Sequence, residues 1–545
     1  MGLIPADWLP AREHLAETIF ALPEVRLPLR LNLAERGLDR HVAEGRGAKP
    51  AILCGDRAIT FAALRRDVNR LANGLRALGI EKNDRVIVRS ANRPEFIASC
   101  YACWRIGAIP VLVNHMLKAE EIVFRGNDSA ARAALVSAES YEEMDKAQRE
   151  MKLEHVIVFG DHISGTHAYD DLLAGAADEI EGEPTTRDDL MRIIYSSGTT
   201  GRPKGIVTTI GDAVAIGEIA SRYLLGLRSE DVIGGHPPFT FAFGFGFVLF
   251  FGHVGCTLSI VDRFESELMF QTVETHGITV LCCVPTAFRM MLQVKDAERR
   301  YSLGTLRLCQ SAGEWLPGAT AREWKARFGT EMLDAVGSGE LNYWLATRPG
   351  MPDDKLDSSG TPLPGIECKI VDAAFNDVPP GTDGELLVRA PWGQKYWRRP
   401  DKQREAVRNG WNRTGLIYVE DEDGYFWYKA RNDEIIVTSG YKIAGGEVEG
   451  ALLSHPAVLE AAVVGVPDTV RGSIVKAFVV LNSGWAPSSD LAEDLKQFVK
   501  SRIEAYKYPR EIAFVDGRAL PRTSTGKIQR FMLRDTESGI ASPTA

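Results

Sequence analysis

The sequence predicts an α/β protein with a large N-terminal domain of doubly wound, mainly parallel sheets, a small antiparallel β subdomain after it, and a small α+β C-terminal domain. Three observations predict it. The 545 residues exceed what one hydrophobic core supports. Short β-branched runs alternate with helical stretches as far as about residue 360, the pattern of βαβ units. Beyond that point strands become short and turn residues separate them, as in antiparallel sheet.

In chain order, "RVIVRS" at 85–90 reads as a strand, "PEFIASCYACWRIGA" as a buried helix and "IPVLVN" as the next strand. "HVIVFG", "MRIIYS", "ITVLCCVP" and "LRLCQSAGE" continue the series. Such near-continuous apolar strands suit a parallel sheet covered on both faces, whose ligands sit at the carboxyl ends of the strands. "GIECKIVD", "GELLVRA" and "GYFWYKA" are the short antiparallel strands, and "AAVVGV" and "KAFVVL" are strands of the C-terminal domain, placed at about 435–545. "DLAEDLKQFVKSRI" carries apolar residues at 491, 495, 498, 499 and 503, one helical face, with Asp490 and Glu493 as its start signal. The tail "ESGIASPTA" predicts disorder.

Composition narrows the function classes. Hydrophobic residues at 45% and charged residues at 25% are ordinary for a soluble globular protein. A net charge of -9 argues against a nucleic-acid binder, while leaving room for a local basic pocket. "MGLIPADWLPAREHLAETIF" lacks the basic start, long apolar run and cleavage site of a signal peptide, and position 6 is Ala rather than the Ser or Thr of a myristoylation signal. The run "FTFAFGFGFVLFFGHVG" at 239–255 is too short and glycine-rich to span a bilayer and reads as a buried segment or pocket wall. A cytoplasmic protein without a membrane span is the expectation. The eight cysteines are then reduced. Cys100 and Cys103, although spaced as C-x-x-C, and Cys282 with Cys283 read as core residues.

The stretch "IYSSGTTGRPKG" at 194–205 carries the chemistry. A glycine-rich loop directs backbone N–H groups toward one point and so forms a concavity for an anion. Its hydroxyls add donors, and Lys204 adds a point charge suited to phosphate. It is not a Walker A loop, since Lys204 follows Pro203 and precedes Gly205, and it does not match G-x-G-x-x-G.

"YSSGTTGRPKG" resembles the phosphate loop of the adenylate-forming superfamily of acyl-CoA and aryl-CoA ligases, peptide adenylation domains and luciferases. "SAGEWLP" at 311–317 is similar to its adenine-side segment, and "DAVGSGE" at 334–340 to its magnesium and AMP segment. "WNRTGLIYVEDEDGYFWYKARNDEII" is similar to its ribose and hinge segment, "SGYKIAGGEVE" to the start of its mobile C-terminal domain, and "PRTSTGKIQR" to its catalytic-lysine segment. The N-terminal "LPEVRLPLRLNLAERGLDRHV" and the overall length resemble the benzoate-CoA and 2-aminobenzoate-CoA ligase branch.

The resemblance implies two half-reactions: a carboxylate attacks the α-phosphate of ATP to give acyl-AMP and pyrophosphate, and CoA then displaces AMP. It implies an adenylation domain over 1–430, a hinge at 431–434 and a mobile domain over 435–545. Lys527 bridges the carboxylate and the α-phosphate, and Glu340 binds Mg²⁺. Ser196, Ser197, Gly198, Thr199, Thr200 and Lys204 hold phosphates, with Lys204 and Glu340 counted beside Lys527 as catalytic. Gly313, Glu314, Asp334, Ala335, Val336, Gly337 and Ser338 line the adenine and AMP site, and Arg431 reaches the ribose or phosphate. Asp433 is the hinge residue, and Gly440 lines the channel for the CoA arm. His236, Phe239, Phe241, Phe243 and Ser338 lie near the acyl group, where a phenylalanine-rich wall suits an aromatic acid; pocket and core readings of the phenylalanines and of His236 both stand. No oligomeric state is implied, and a homodimer remains open.

Two positions depart from the family pattern. Gly339 stands where the family has Thr before the magnesium-binding Glu, and Leu416 stands where a ribose-binding Asp is usual. A hydrogen bond to a charged group contributes about 1.5–3 kcal/mol, so weaker ATP binding by roughly one to two orders of magnitude is the expectation. The expected function is ATP-dependent ligation of a benzoate or 2-aminobenzoate type acid to CoA. The alternatives are an enzyme that passes the aryl group to a carrier protein or amine, or activates another oxyacid for transfer to an aryl amine, and a non-catalytic adenylate- or acyl-binding protein.

Overall fold

The computed structural model describes residues 4–196, 203–261, 263–431, 435–438, 441–468, 472–503, 505–522 and 528–537. The expected positions Ser197, Gly198, Thr199, Thr200, Asp433, Gly440 and Lys527 lie outside the described residues.

Two large sheets organise the N-terminal part. In one, strands run in the spatial order His167–Ala168, His155–Phe159, Ala133–Ser137, Arg85–Arg89, Ile109–Leu112, Leu190–Ser196 and Lys204–Thr209. Every pair is parallel except the last, an antiparallel hairpin. The other sheet runs Thr361–Pro362, Asn342–Ala346, Met332–Ser338, Leu308–Ala312, Val280–Cys283, Val232–Gly235, Thr257–Ile260, Pro50–Cys54 and Arg57–Thr60. Its centre is parallel and both edges are antiparallel.

The inner faces of both sheets contribute to one apolar layer that also holds the Ala242–Val254 helix, and each outer face has a second, separate layer. Strands buried on two sides need apolar residues at successive positions, which explains the unbroken runs in the sequence. Cys100, Cys103, Cys282 and Cys283 are fully buried, as core packing requires. Gly384–Arg389, Trp411–Glu420 and Phe426–Arg431 form the antiparallel subdomain with Glu367–Val371 and Val407–Arg408.

The C-terminal part builds its own core around Val458–Asp468, Gly472–Leu481 and Glu511–Phe514. Ala461, Val463, Ala477 and Val479 face one cluster, while Ala462, Val464, Phe478 and Val480 face another, the period-two alternation of a strand. The Ser489–Arg502 helix covers the first cluster with Leu491, Leu495 and Val499. Its cap is Ser488, whose hydroxyl accepts the Leu491 N–H at 3.1 Å, so the start signal sits two residues before the expected Asp490. Ile503 lies just past the last helical turn. No helix among the described residues is long and apolar enough to cross a membrane.

The apolar run at 239–255 is mostly the Ala242–Val254 helix, buried from Gly244 to Gly252. Its carbonyl end needs donors, because water cannot reach it. Arg40 donates to the His253 carbonyl, His41 Nε2 bonds the Gly252 carbonyl at 2.7 Å, and Lys49 donates to the Gly255 carbonyl. Cationic side chains at a helix C-terminus also complement its dipole. Gly255 ends the helix with φ +81° and sends its N–H to Phe251 at 2.7 Å. A Cβ there would stand 2.8 Å from the His41 ring. Gly255→Ala is therefore expected to destabilise this layer by about 1–2 kcal/mol; an unchanged or raised thermal unfolding midpoint would refute this account of the cap.

Candidate active site

A cavity of about 1150 Å³ opens at the carboxyl ends of the nine-stranded sheet, walled by Lys204, the Met332–Ser338 strand, the antiparallel subdomain and the Gly445–Leu453 helix of the C-terminal part. Lys204, Gly313, Glu314, Asp334, Ala335, Val336, Gly337, Ser338, Glu340 and Arg431 all line it. Among the described residues, most of the sequence-predicted nucleotide positions are thus brought together from segments more than 200 residues apart.

Ser196 and Lys204 are register partners that end the two strands of one hairpin, so they mark the two sides of the loop between them. Lys204 Nζ lies 5.5 Å from the centre of the Tyr396 ring. The Tyr396 hydroxyl lies 3.4 Å from Glu340 Oε1 and 3.3 Å from Gln394 Oε1. Burial first, and then the Glu340 carboxylate, raise the Tyr396 pKa, so the phenol stays protonated. Tyr396 had no signal in the sequence; it reaches the site because residues 395–397 run beside the Lys204–Thr209 strand. There the Trp397 N–H donates to the Gly205 carbonyl at 2.8 Å and the Val207 N–H to the Lys395 carbonyl at 2.9 Å.

The turn after Met332–Ser338 sets Glu340. Ser338 Oγ accepts the N–H of Glu340 at 3.2 Å and of Leu341 at 3.1 Å. Gly337 faces Tyr343 across the ladder, and a Cβ on it would collide with the Asn342 carbonyl oxygen. Gly339 is less constrained. A Cβ there would lie 3.3 Å from Ile206 Cδ1 and 3.4 Å from Ile194 Cδ1, close enough that both must give.

Asp334 is 3% exposed and its Oδ1 has no hydrogen-bond partner among the described residues. Burial pushes its pKa well above the usual carboxylate range, against the backbone N–H groups of Leu316 and Ala335, which lower it. Glu314 accepts from Thr286 Oγ1 at 2.8 Å, and Thr286 accepts from Arg289 at 2.9 Å. Burial lowers the Arg289 pKa, with Glu314 opposing. Gly313 has φ +92°, a conformation that favours glycine.

Leu416 and Arg431 are register partners at the end of the Trp411–Glu420 and Phe426–Arg431 pair. The Leu416 N–H donates to Thr414 Oγ1 at 3.1 Å, and its side chain packs on the inner apolar layer. From the C-terminal part, Glu447 Oε1 accepts from Lys429 at 2.8 Å and Glu447 Oε2 pairs with Lys507 at 2.7 Å, which ties the Phe426–Arg431 strand to the Gly445–Leu453 helix. Tyr396, Arg289, Glu447 and Lys507 were all missed by sequence reading, since no local spacing distinguishes them.

Of the five expected acyl-side residues, Ser338 lines this cavity and the other four stand outside its lining. Phe239 is 1% exposed and packs on Phe96 and Phe247. Phe241 precedes the first turn of Ala242–Val254, and Phe243 packs on Phe247. His236 follows the Val232–Gly235 strand with its ring 4.9 Å from Phe264 and Nδ1 unpartnered among the described residues. Burial pushes its pKa down to about 4, so it is neutral at neutral pH.

Among the described residues no group of three or more His, Cys, Asp or Glu side chains forms a metal site. Glu340 alone fits a cation that arrives on phosphate oxygens, as Mg²⁺ does, and does not form a protein cage.

Comparison with known proteins gives the family. The family described as AMP-binding enzyme matches residues 39–397, and its C-terminal domain matches residues 447–527. The benzoate-CoA ligase of Thauera aromatica is 36% identical, covering 94% of this chain and 97% of that protein. A 4-hydroxybenzoate-CoA/benzoate-CoA ligase of Rhodopseudomonas palustris is 35% identical over 94% of this chain and 96% of that protein. The crystal structure of the anthranilate CoA ligase AuaEII with anthranoyl-AMP superposes with a TM-score of 0.89 at 32% identity, covering 95% of this chain and all of that one. The chain belongs to the AMP-binding, adenylate-forming enzymes, on their aryl-CoA ligase branch.

Proposed function

We propose that this enzyme activates a benzoate-type acid as aryl-AMP and transfers the aryl group to CoA, releasing pyrophosphate and AMP. The observation that carries the reading is the meeting of Lys204 and Glu340 around Tyr396, in a cavity floored by the Gly337–Ser338 backbone and closed by the C-terminal part.

The first step brings two anions together, so fixed positive charge must stand between them. Lys204 holds the outgoing phosphates from one side, and Lys527 neutralises the attacking carboxylate and the α-phosphate. Glu340 would hold Mg²⁺, which would supply Lewis-acid charge at phosphate oxygens. Asp334, whose pKa burial raises, and the adjoining backbone to Ser338 receive the adenine end, with Gly313 and Glu314 opposite. Arg431 meets the ribose or phosphate. His236, Phe239, Phe241 and Phe243, which stand outside the cavity lining, are assigned to the aryl ring on the family resemblance alone. Residues 1–430 form the adenylation domain and 435–545 the mobile domain, with 431–434 as hinge and Asp433 absorbing the rotation. Release of the Lys429–Glu447 contact accompanies that rotation, after which Gly440 lines the path of the CoA arm.

Pyrophosphate release with a panel of benzoates at saturating ATP and Mg²⁺ tests the reading; no release with any acid would sink it. An aryl-AMP that persists after CoA is added would assign the second step to a carrier protein or an amine instead. Lys527→Ala is expected to slow pyrophosphate release by about 10²–10³ while thioester formation from supplied aryl-AMP is largely kept; equal loss of both steps would contradict the role. Leu416→Asp, which places a carboxylate beside Arg431, is expected to lower the KM for ATP by about tenfold, and an unchanged KM would refute the ribose assignment.

A further inference from the structure

Residues 4–19 take no part in the two half-reactions, yet they are tied to the segment that carries Tyr396. Residues 393–399 belong to no helix or strand, and apart from the bridge between Tyr396 and Ile206 they are held by individual contacts. Two of those contacts come from the N-terminal segment. The Trp8 ring meets the Trp397 ring edge to face, with 5.2 Å between centroids. The Arg398 guanidinium lies 4.4 Å from the centre of the Trp8 ring, and the Arg398 N–H donates to the Trp8 carbonyl at 2.8 Å. Gln403, 1% exposed, makes the second tie: its Nε2 donates to the His14 carbonyl at 3.0 Å, and its Oε1 accepts the Tyr396 N–H at 3.0 Å. Further along, the Glu17 N–H donates to the Gly410 carbonyl at 2.9 Å and the Glu17 carboxylate pairs with Arg389 at 2.8 Å, which pins the segment in place.

A segment outside regular secondary structure owes its conformation to the groups that satisfy its polar atoms and cover its side chains. Here one such group, the His14 carbonyl, comes from 389 positions before Gln403 in the chain. What is held matters, because the Tyr396 ring centre lies 5.5 Å from Lys204 Nζ and its hydroxyl 3.4 Å from Glu340 Oε1. A shift of residues 396–398 carries the phenol with it, and a misplacement of about 1 Å costs up to about 10²-fold in rate when it disturbs groups around the reacting atoms. Residues 4–19 also cover the outer apolar layer, where Ile4, Trp8 and Leu9 pack on a cluster that includes Trp397 and Tyr195. Covering that layer stabilises the whole fold, and its loss lowers every activity together. The tie through Gln403 to the Tyr396 N–H adds a demand that falls on one residue of the site.

We infer that Trp8 and Gln403 are positioning residues for the adenylation step, which act through the Tyr396 segment to hold the phenol between Lys204 and Glu340. The inference rests on the aryl-adenylating reading of this cavity, in which that pair handles phosphates and Mg²⁺, and it makes the N-terminal segment part of the working site. Transfer from a finished aryl-AMP has no pyrophosphate to hold, so it places no demand on the Lys204–Tyr396–Glu340 arrangement. The two half-reactions therefore respond differently when the ties are cut.

The test uses the full chain and follows pyrophosphate release with benzoate-type acids, its Mg²⁺ dependence, and thioester formation from supplied aryl-AMP. Trp8→Ala is expected to lower kcat for pyrophosphate release by about tenfold and to raise the Mg²⁺ concentration for half-maximal rate, with thioester formation kept within about twofold. Trp8→Phe, which keeps a ring against Trp397 and Arg398, is expected to retain pyrophosphate release within about twofold. Gln403→Met keeps side-chain volume and removes the ties to His14 and Tyr396; it is expected to give the same split between the steps, and it suffices if Trp8→Ala fails to fold. In a Tyr396→Phe background, Trp8→Ala is expected to cost less than it does alone, because both changes act on one group. No loss, equal loss of both steps, or full multiplication of the Trp8→Ala and Tyr396→Phe effects would overturn the inference and leave the ligase reading standing. Absence of pyrophosphate from the unsubstituted chain with every acid would remove both.

Discussion

Lys204 and Glu340 must stand close to one another without pairing, and the rest of the site depends on that separation. A direct ion pair between them would occupy the charge that each has to offer to a phosphate or a cation, and would resist being opened in a desolvated cavity. Tyr396 keeps them apart, with its ring toward the ammonium and its hydroxyl toward the carboxylate. The phenol is itself fixed from behind. Lys395 pairs with Asp212 at 2.6 Å, the Tyr396 N–H donates to Gln403 at 3.0 Å, and the Trp397 indole N–H donates to the Asp128 carbonyl at 3.0 Å. Gly205 completes the arrangement. A Cβ on it would lie 2.9 Å from Trp397 Cβ, so the glycine that ends the loop motif is what lets the Tyr396 segment lie against the hairpin. A residue read from sequence as part of an anion cradle therefore also serves a packing contact about 190 residues away.

The same division explains what was legible in the sequence and what was not. Parallel strands buried on two sides leave long apolar runs, so the sheets, the Pro94–Arg105 helix and the antiparallel subdomain were readable from pattern alone. The cavity-lining positions were readable because each motif is contiguous: five residues of one strand, Asp334 to Ser338, line the cavity together. Tyr396, Arg289 and the Lys429–Glu447–Lys507 bridge were not readable, since their meaning comes from long-range pairing that no local spacing encodes. The Ser489–Arg502 helix shows the smaller error of local reading: its apolar face was correct, and its cap lay one hydroxyl earlier than the acidic residues suggested.

The inner apolar layer couples these parts. It is shared by the two sheets, the Ala242–Val254 helix and the flanking Pro94–Arg105 helix, so the depth of the cavity floor is set by side-chain volume in a close-packed interior. Phe239 belongs to this layer more than to any open wall, and its ring contacts with Phe96 and Phe247 position the start of the helix on which Phe243 stands. Recognition of an aryl ring would then come from the shape of a packed layer.

Gly339 and Leu416 acquire a physical meaning in this setting. Each looks, in sequence, like the loss of a side chain that grips the nucleotide. In the structure neither position is a vacancy. The methyl ends of Ile194 and Ile206, on the two strands that end at Ser196 and begin at Lys204, stand 3.4 and 3.3 Å from where a residue-339 Cβ would be, so a side chain there would meet them. Leu416 packs on the inner layer while its backbone N–H is satisfied by Thr414, whose hydroxyl in turn donates to the Leu386 carbonyl at 2.7 Å. The two departures are integrated with their neighbours, while the 334–338 backbone, Lys204 and Arg431 still line the cavity beside them.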